Sequence, residues 1–110
     1  MADELTIMWD GISSKEYKYW ITPIESTFKP VAGNYIFAKE VESHKWTPIY
    51  VGETDNLEER LTSNHEKMPC VKRNGGTHLH THTTTNDEIT RRKEESDIIA
   101  KWKPPCNSED

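Results

Sequence analysis

Two phenols, a guanidinium and a carboxylate stand out as groups that could work together: Tyr35, Tyr50, Arg60 and Glu95. Tyr35 lies in Gly33–Asn34–Tyr35–Ile36–Phe37, and Tyr50 lies in Ile49–Tyr50–Val51–Gly52–Glu53. Both stretches are rich in β-branched and aromatic residues, so both read as short strands. Antiparallel pairing puts the two tyrosines on neighbouring strands. Arg60 follows in Leu57–Glu58–Glu59–Arg60–Leu61 and shares a helix face with Leu57, Leu61 and Asn64. Taken alone, such an arginine covers apolar surface with its stem. Glu95 sits on the helical stripe of Ile98, Ile99 and Trp102, whereas Glu94 is turned roughly 100° away. A carboxylate on a buried stripe needs an ion pair, hydrogen bonds or a metal. A salt bridge to Arg91 or Arg92 and a metal site are both open on the residues alone. His78, His80 and His82 alternate onto one strand face at about 7 Å intervals. One metal is not easily reached by all three at that pitch, so they read as a solvated or substrate-facing row.

Several elements must position these groups. Glu16 to Ile24 alternates as a strand, with Tyr17, Tyr19 and Ile21 to one side, and its flanking prolines suit an edge position. The polar stretch from Ala38 to Pro48 reads as the loop of a hairpin. Asp55–Asn56–Leu57–Glu58 starts a helix expected to run to Glu66 or Lys67. Met68 to Gly76 reads as a loop, broken by Pro69 and Asn74–Gly75–Gly76. Thr77 to Thr84 is the histidine-bearing strand. Thr85–Asn86–Asp87–Glu88 has the pattern of a capping box. The helix it opens should end near Lys103, before Pro104–Pro105. Met1 to Ser14 shows no clean period.

Composition bounds the answer. The chain has 110 residues, room for one modest core. Charged residues make up 30% and the mean hydropathy is -0.90, yet four Trp and four Tyr supply large packing units for a folded domain. No apolar run approaches a membrane span. The acidic start, Met1–Ala2–Asp3–Glu4, argues against a secretory signal and for a cytoplasmic location. Cys70 and Cys106 match no zinc pattern and are expected as free thiols in that compartment. A formal charge of -5 argues against tight, unspecific binding to nucleic acid.

In order along the chain stand Gly33–Asn34–Tyr35, Tyr50–Val51–Gly52, Arg60, Glu95 and a closing Pro104–Pro105–Cys106–Asn107. The arginine comes ten positions after the second tyrosine. On these motifs the chain resembles the GIY-YIG nuclease superfamily, over Val31 to Asn107. The resemblance implies a small α/β (α+β) domain with a central three-stranded antiparallel sheet flanked by helices. Its strands lie near Tyr35, Tyr50 and His80. Residues 1–30 would be an N-terminal extension adding a strand, 31–107 the domain, and 108–110 a tail.

The resemblance also implies phosphodiester hydrolysis in nucleic acid, taken as branched or damaged DNA, with one divalent Mg²⁺ or Mn²⁺. Glu95 then supplies a hard oxygen ligand. The metal polarises the scissile phosphate, and Arg60 meets the charge that builds there. Tyr35 and Tyr50 flank the attacking water, one of them as base, which requires lowering an ordinary pKa of ~10. Gly52, His65 and Asn107 are auxiliary, with Asn107 orienting the site or touching the nucleic-acid backbone. Lys67, Lys72, Arg73, Arg91, Arg92 and Lys93 are expected to give the cleft positive potential. The acidic residues Asp3, Glu4, Glu109 and Asp110 lie in the tails.

The chain departs from the family pattern at three places. Asn34 replaces a common Ile or Val, on the side away from Tyr35. Asn64 occupies a place where His or Tyr is common, with His65 next to it. Glu53 stands where many excision-repair relatives have lysine. The alternative is a GIY-YIG-fold binding module with weak or no catalysis; as a nuclease, the chain is expected to take its specificity from a protein partner.

Overall fold

The computed structural model describes residues 5–43, 45–83 and 87–107. Five strands and three helices follow in the order β1 (Thr6–Asp10), β2 (Glu16–Pro23), β3 (Gly33–Glu42), β4 (Lys45–Thr54), α1 (Leu57–Arg60), α2 (Met68–Arg73), β5 (His78–His82) and α3 (Glu88–Trp102). The strands form one antiparallel sheet in the order β1-β2-β5-β3-β4. The sheet is therefore five-stranded rather than three-stranded. The expected strand over Glu16 to Ile24 is present, but it lies inside the sheet, between β1 and β5. The edge on that side is β1, whose sequence carries no clear alternation. The turn after β1 is pinned to α3, because Asp97 accepts hydrogen bonds from the Ser13 amide, the Ser13 hydroxyl and the Tyr17 hydroxyl.

Each sheet face carries its own core. Tyr35, Phe37, Ile49 and Leu79 pack with Leu57 and Leu61, with Cys70 and Val71 of α2, and with Cys106. On the other face Trp9, Tyr19, Ile36, Ala38 and Val51 pack against Ile98 of α3. The alternation of β3, with Tyr35 and Phe37 one way and Ile36 and Ala38 the other, divides the two.

Four local expectations are corrected. The hairpin loop expected from Ala38 to Pro48 is mostly strand, since β3 runs to Glu42 and β4 resumes at Lys45. Its polarity has another cause: β5 pairs with β3 only from Asn34 to Ala38, so the outer ribbon lacks that third strand and is largely exposed. The helix expected to reach Glu66 or Lys67 stops at Arg60, although Asn56 caps it by accepting from the Glu59 amide. The Thr62–Ser63–Asn64 run ends it, with the Thr62 hydroxyl accepting from the Asn64 amide in place of a helical carbonyl. Met68–Arg73 is helix, not loop; Pro69 sits in its first turn, where a missing N–H costs nothing. Cys70 and Cys106 form a disulfide across 36 residues and are not free thiols.

The α3 cap is Asp87, whose carboxylate accepts from the Ile89 amide; Thr85 and Asn86 of the expected capping box lie outside the described residues. Lys103, in left-handed backbone, ends that helix before Pro104. No described helix is long and apolar enough to cross a membrane.

Candidate active site

Strand pairing sets Tyr35 opposite Gly52 and Phe37 opposite Tyr50. The register then jumps to Ala38 opposite Pro48, leaving Ile49 as a bulge residue. The bulge turns Ile49 and Tyr50 to the same face, that of Tyr35 and Phe37. Glycine at 52 is required, because a Cβ there would come within 2.5 Å of the Tyr35 ring carbon bearing the hydroxyl. Tyr35 is only 1% exposed, its ring lying across that glycine. The Tyr35 and Tyr50 ring centroids are 6.1 Å apart, and the His65 ring stands 5.7 Å from the first and 5.5 Å from the second.

His65 is buried while Asn64 is exposed, so the histidine one place later is the one that enters the tyrosine cluster. Its Nδ1 accepts from the Lys67 amide at 3.0 Å, and its Nε2 lies 2.8 Å from the Tyr35 hydroxyl. A backbone donor at Nδ1 fixes the proton of the neutral ring on Nε2, which therefore donates to the Tyr35 oxygen. Burial, then the charge of Arg60, pushes the His65 pKa down to about 4, which keeps the ring neutral at neutral pH.

Arg60 at the end of α1 lies close enough to both tyrosine oxygens to favour their ionised forms. Burial outweighs it, and the pKa of each tyrosine is raised. The Arg60 guanidinium also pairs with the exposed carboxylate of Glu66, a partner that no motif or spacing singles out.

Glu95 reaches the tyrosines from α3, which packs beside the edge strand β4. Its charge raises the pKa of both tyrosines. It is half-buried, and among the described residues it has no hydrogen-bond or ion-pair partner. Burial first, then the nearby Glu53 carboxylate, pushes its own pKa up to about 7 against the pull of Arg92. The salt bridge expected for it is made by Glu53 instead, which accepts from Arg91 Nε at 3.2 Å and lies 3.6 Å from Arg92 Nε. Arg92 pairs with Glu88 as well, at 2.7 Å.

Arg91 is thus withdrawn from the expected set of nucleic-acid contacts: it is 3% exposed and ion-paired, and its carbonyl accepts from Asn34 Nδ2. Asn34 itself points away from Tyr35, as its strand position requires. Lys93 lies on α3 beside a shallow groove with Ile12, Tyr17 and Ile89, not beside the tyrosines. Lys72 and Arg73 are exposed on α2, and Lys67 is half-buried at its start.

Asn107 spends both of its polar groups on Val51. Its Oδ1 accepts from the Val51 amide and its Nδ2 donates to the Val51 carbonyl, each at 2.8 Å. The Cys106 amide donates to the carbonyl of the bulged Ile49 at 2.9 Å. Asn107 therefore holds the Tyr50–Val51–Gly52 backbone in place, and the disulfide ties this tail to α2.

The histidines lie away from Tyr35 and Tyr50, on the Ile36 face of the sheet. His78 is half-buried against Trp46, with its Nδ1 2.8 Å from the exposed Thr77 hydroxyl. His80 is fully buried and accepts from Trp9 Nε1 at 2.9 Å. His82 meets both oxygens of Glu94, which also accepts from the Tyr19 hydroxyl. Glu94 is 3% exposed, so the residue read as turned away from the core is deeper than Glu95. The buried line of α3 is Arg91, Glu94 and Ile98, two charged residues and one apolar, and it escapes a search for apolar periodicity.

No family model and no curated protein sequence matches the chain. Solved structures do. The GIY-YIG N-terminal endonuclease domain of UvrC from Thermotoga maritima, as a point mutant bound to its catalytic divalent cation, is 27% identical, with a TM-score of 0.60 over 78% of this chain and 91% of that one. A second point mutant of the same domain is 26% identical with a TM-score of 0.60 over the same shares, and a third is 25% identical with 0.58 over 76% and 88%. With its two tyrosine motifs paired on β3 and β4 and its closing asparagine bonded to the second of them, this chain has the GIY-YIG nuclease fold.

Proposed function

We propose that the protein is a divalent-metal-dependent endonuclease that hydrolyses phosphodiester bonds in DNA. The observation that carries this reading is the half-buried Glu95 carboxylate, without a hydrogen-bond or ion-pair partner among the described residues and close to two tyrosines that also face Arg60 and His65. Tyr50 is the more exposed phenol and meets the attacking water. Tyr35, buried and bonded to His65, orients it. Arg60 neutralises charge on the phosphate as the transition state forms, which requires Glu66 to give way. Gly52 makes room for Tyr35, and Asn107 fixes the strand that carries Tyr50.

Glu95 suits a hard cation. A positive charge beside it relieves the burial and the Glu53 repulsion that push its pKa up. Among the described residues no group of three or more His, Cys, Asp or Glu could hold a metal. The protein would contribute one carboxylate, with waters and phosphate oxygens completing the shell, as Mg²⁺ or Mn²⁺ accepts. Such an ion supplies Lewis-acid stabilisation of the phosphate and favours ionisation of the tyrosine base. The mutant UvrC domains that share the fold are described with a catalytic divalent cation.

Within this proposal, residues 31–107 form the catalytic domain, and residues 1–30 an extension that lengthens the sheet. Lys67, Lys72, Arg73 and Arg92 are the remaining candidates for backbone phosphates, and a protein partner supplies specificity. The Cys70–Cys106 disulfide argues for an oxidising location.

One feature favours the binding-module alternative. Arg60 is taken up by Glu66, and Arg92 by Glu53 and Glu88, so the cation beside the tyrosines and the one beside Glu95 are already matched by carboxylates. A panel of labelled linear, flap and branched DNA, incubated with Mg²⁺ or Mn²⁺, separates the two readings. Wild-type cleavage that is lost in Glu95→Gln supports the nuclease. A wild-type protein that cuts nothing and is indistinguishable from Glu95→Gln points to the binding module.

A further inference from the structure

Beside the tyrosine cluster lies a concavity of about 510 Å³. Phe28, Phe37, Leu61, Met68 and Leu79 line it, Phe28 and Met68 being the half-buried ones of these, and Lys72 stands among its polar lining with Glu25 and Glu58. We infer that this is a subsite for one unstacked nucleobase of the substrate strand, an inference that rests on the nucleic-acid reading above.

Three observations converge on that occupant. Leu61, Thr62 and Ser63, which follow Arg60 directly in the chain, line the concavity. A strand whose phosphate meets Arg60 therefore passes its mouth. A second concavity lined by Asn64, His65 and Glu66 shares Ser63, Met68 and Lys72 with the first, and His65 is the residue that joins it to the tyrosine cluster. The wall residue Phe37 is itself in ring contact with His65 at 5.2 Å and Tyr35 at 5.9 Å. The lining also suits the chemistry of a base. Aromatic and aliphatic walls match its two faces. The Thr62 and Ser63 hydroxyls can bond its polar edge. Lys72 provides one cation for the adjoining phosphate.

The test uses the intact chain carrying Glu95→Gln, so that DNA is bound without being cut, and methionine labelled with ¹³C at its methyl group. Met68 lines the concavity, and Met8 on β1 serves as the internal control. A short single-stranded oligodeoxyadenylate is added, and in parallel a fully abasic strand of the same length and charge. Binding of each is followed by fluorescence anisotropy. The expected result is a shift of the Met68 methyl signal with the adenylate strand only, with Met8 unmoved. Phe28→Ala then weakens adenylate binding by roughly tenfold, the size of one lost base stack. If that variant does not fold, Ser63→Trp at an exposed mouth position blocks the subsite and gives the same loss. A strand that binds while the Met68 signal stays still, or an abasic strand that shifts it equally, overturns the subsite but not the nucleic-acid reading. If neither strand binds, the nucleic-acid reading falls and the subsite falls with it.

Discussion

The two faces of the sheet hold polar groups among aromatic rings in opposite ways. On the α3 face His80 accepts from Trp9, and Glu94 is shared by Tyr19 and His82. These groups mostly bond each other, though His80 Nε2 and Asn34 Oδ1 are buried without a partner among the described residues. On the tyrosine face Tyr35 and His65 are buried and bonded to each other, but the groups around them look outward. Tyr50 is half-exposed, Arg60 beside the tyrosine hydroxyls is ion-paired with the surface carboxylate of Glu66, and Glu95 has no hydrogen-bond or ion-pair partner among the described residues. Buried polar groups that satisfy one another stabilise a fold, whereas a converging set left open is where a ligand belongs. Neighbouring glutamates on one helix thus receive different work.

The largest expected effects separate those neighbours. Glu95→Gln should reduce cleavage by ~10²–10³-fold or more while substrate binding holds or tightens. It should not lower the melting temperature at pH 8, because it removes a carboxylate whose charge is disfavoured there. Glu94→Gln should instead cost about 1–3 kcal/mol of stability through its broken bonds to Tyr19 and His82. Cleavage and melting measured on both variants would break the comparison if the signatures were exchanged.

Reduction of Cys70–Cys106 comes next. It should lower stability by about 2–4 kcal/mol. Hydrogen exchange should also speed up at the Val51 amide, which Asn107 holds from the same tail. Unchanged exchange at Val51 under reduction would separate the tail's anchoring from the disulfide.

Acid sharpens the comparison by sign. His80 and His65 have folded pKa values of about 3 and about 4, below the ordinary 6.5, so the unfolded chain binds more protons between those limits and stability falls as pH drops through that window. Glu95 runs the other way. Its folded pKa of about 7 exceeds the ordinary 4.5, so its contribution to stability improves as pH falls from 7 to 4.5. Without added metal, Glu95→Gln should therefore lose melting temperature more steeply than wild type between pH 7 and 5. Parallel profiles would contradict the assignment of the raised carboxyl to Glu95.

The smallest effect is expected at Glu66. Its pair with Arg60 is solvent-exposed, so Glu66→Gln should tighten DNA binding only a few-fold, and less at high salt. Weaker binding would mean that Glu66 positions Arg60 rather than competing with phosphate.

The tyrosine strands were legible in the sequence because their aromatic and β-branched residues outweigh the polar surroundings. Arg60 and Glu95 were singled out by the family resemblance and not by helical spacing, since α1 stops at Arg60 and the buried line of α3 runs through Glu94. What was hidden depended on partners distant in the chain. Nothing local tells that Cys70 meets Cys106, or that Trp9 makes His80 a core residue. Glu94 looked exposed because a buried carboxylate is acceptable only once Tyr19 and His82 are known to face it. Pro69 looked like a breaker because its effect depends on where the helix begins. The bulge at Ile49, which aims Tyr50, adds a residue that strict alternation does not foresee.

Paramagnetic broadening by Mn²⁺ tests most directly which face is the functional one. Substoichiometric Mn²⁺ added to the wild-type protein should broaden the ring signals of Tyr50 and Tyr35 ahead of those of Tyr19 and His82, and Glu95→Gln should abolish the difference. Broadening centred on Tyr19 and His82, or broadening at Tyr50 that survives Glu95→Gln, would contradict a cation site at Glu95.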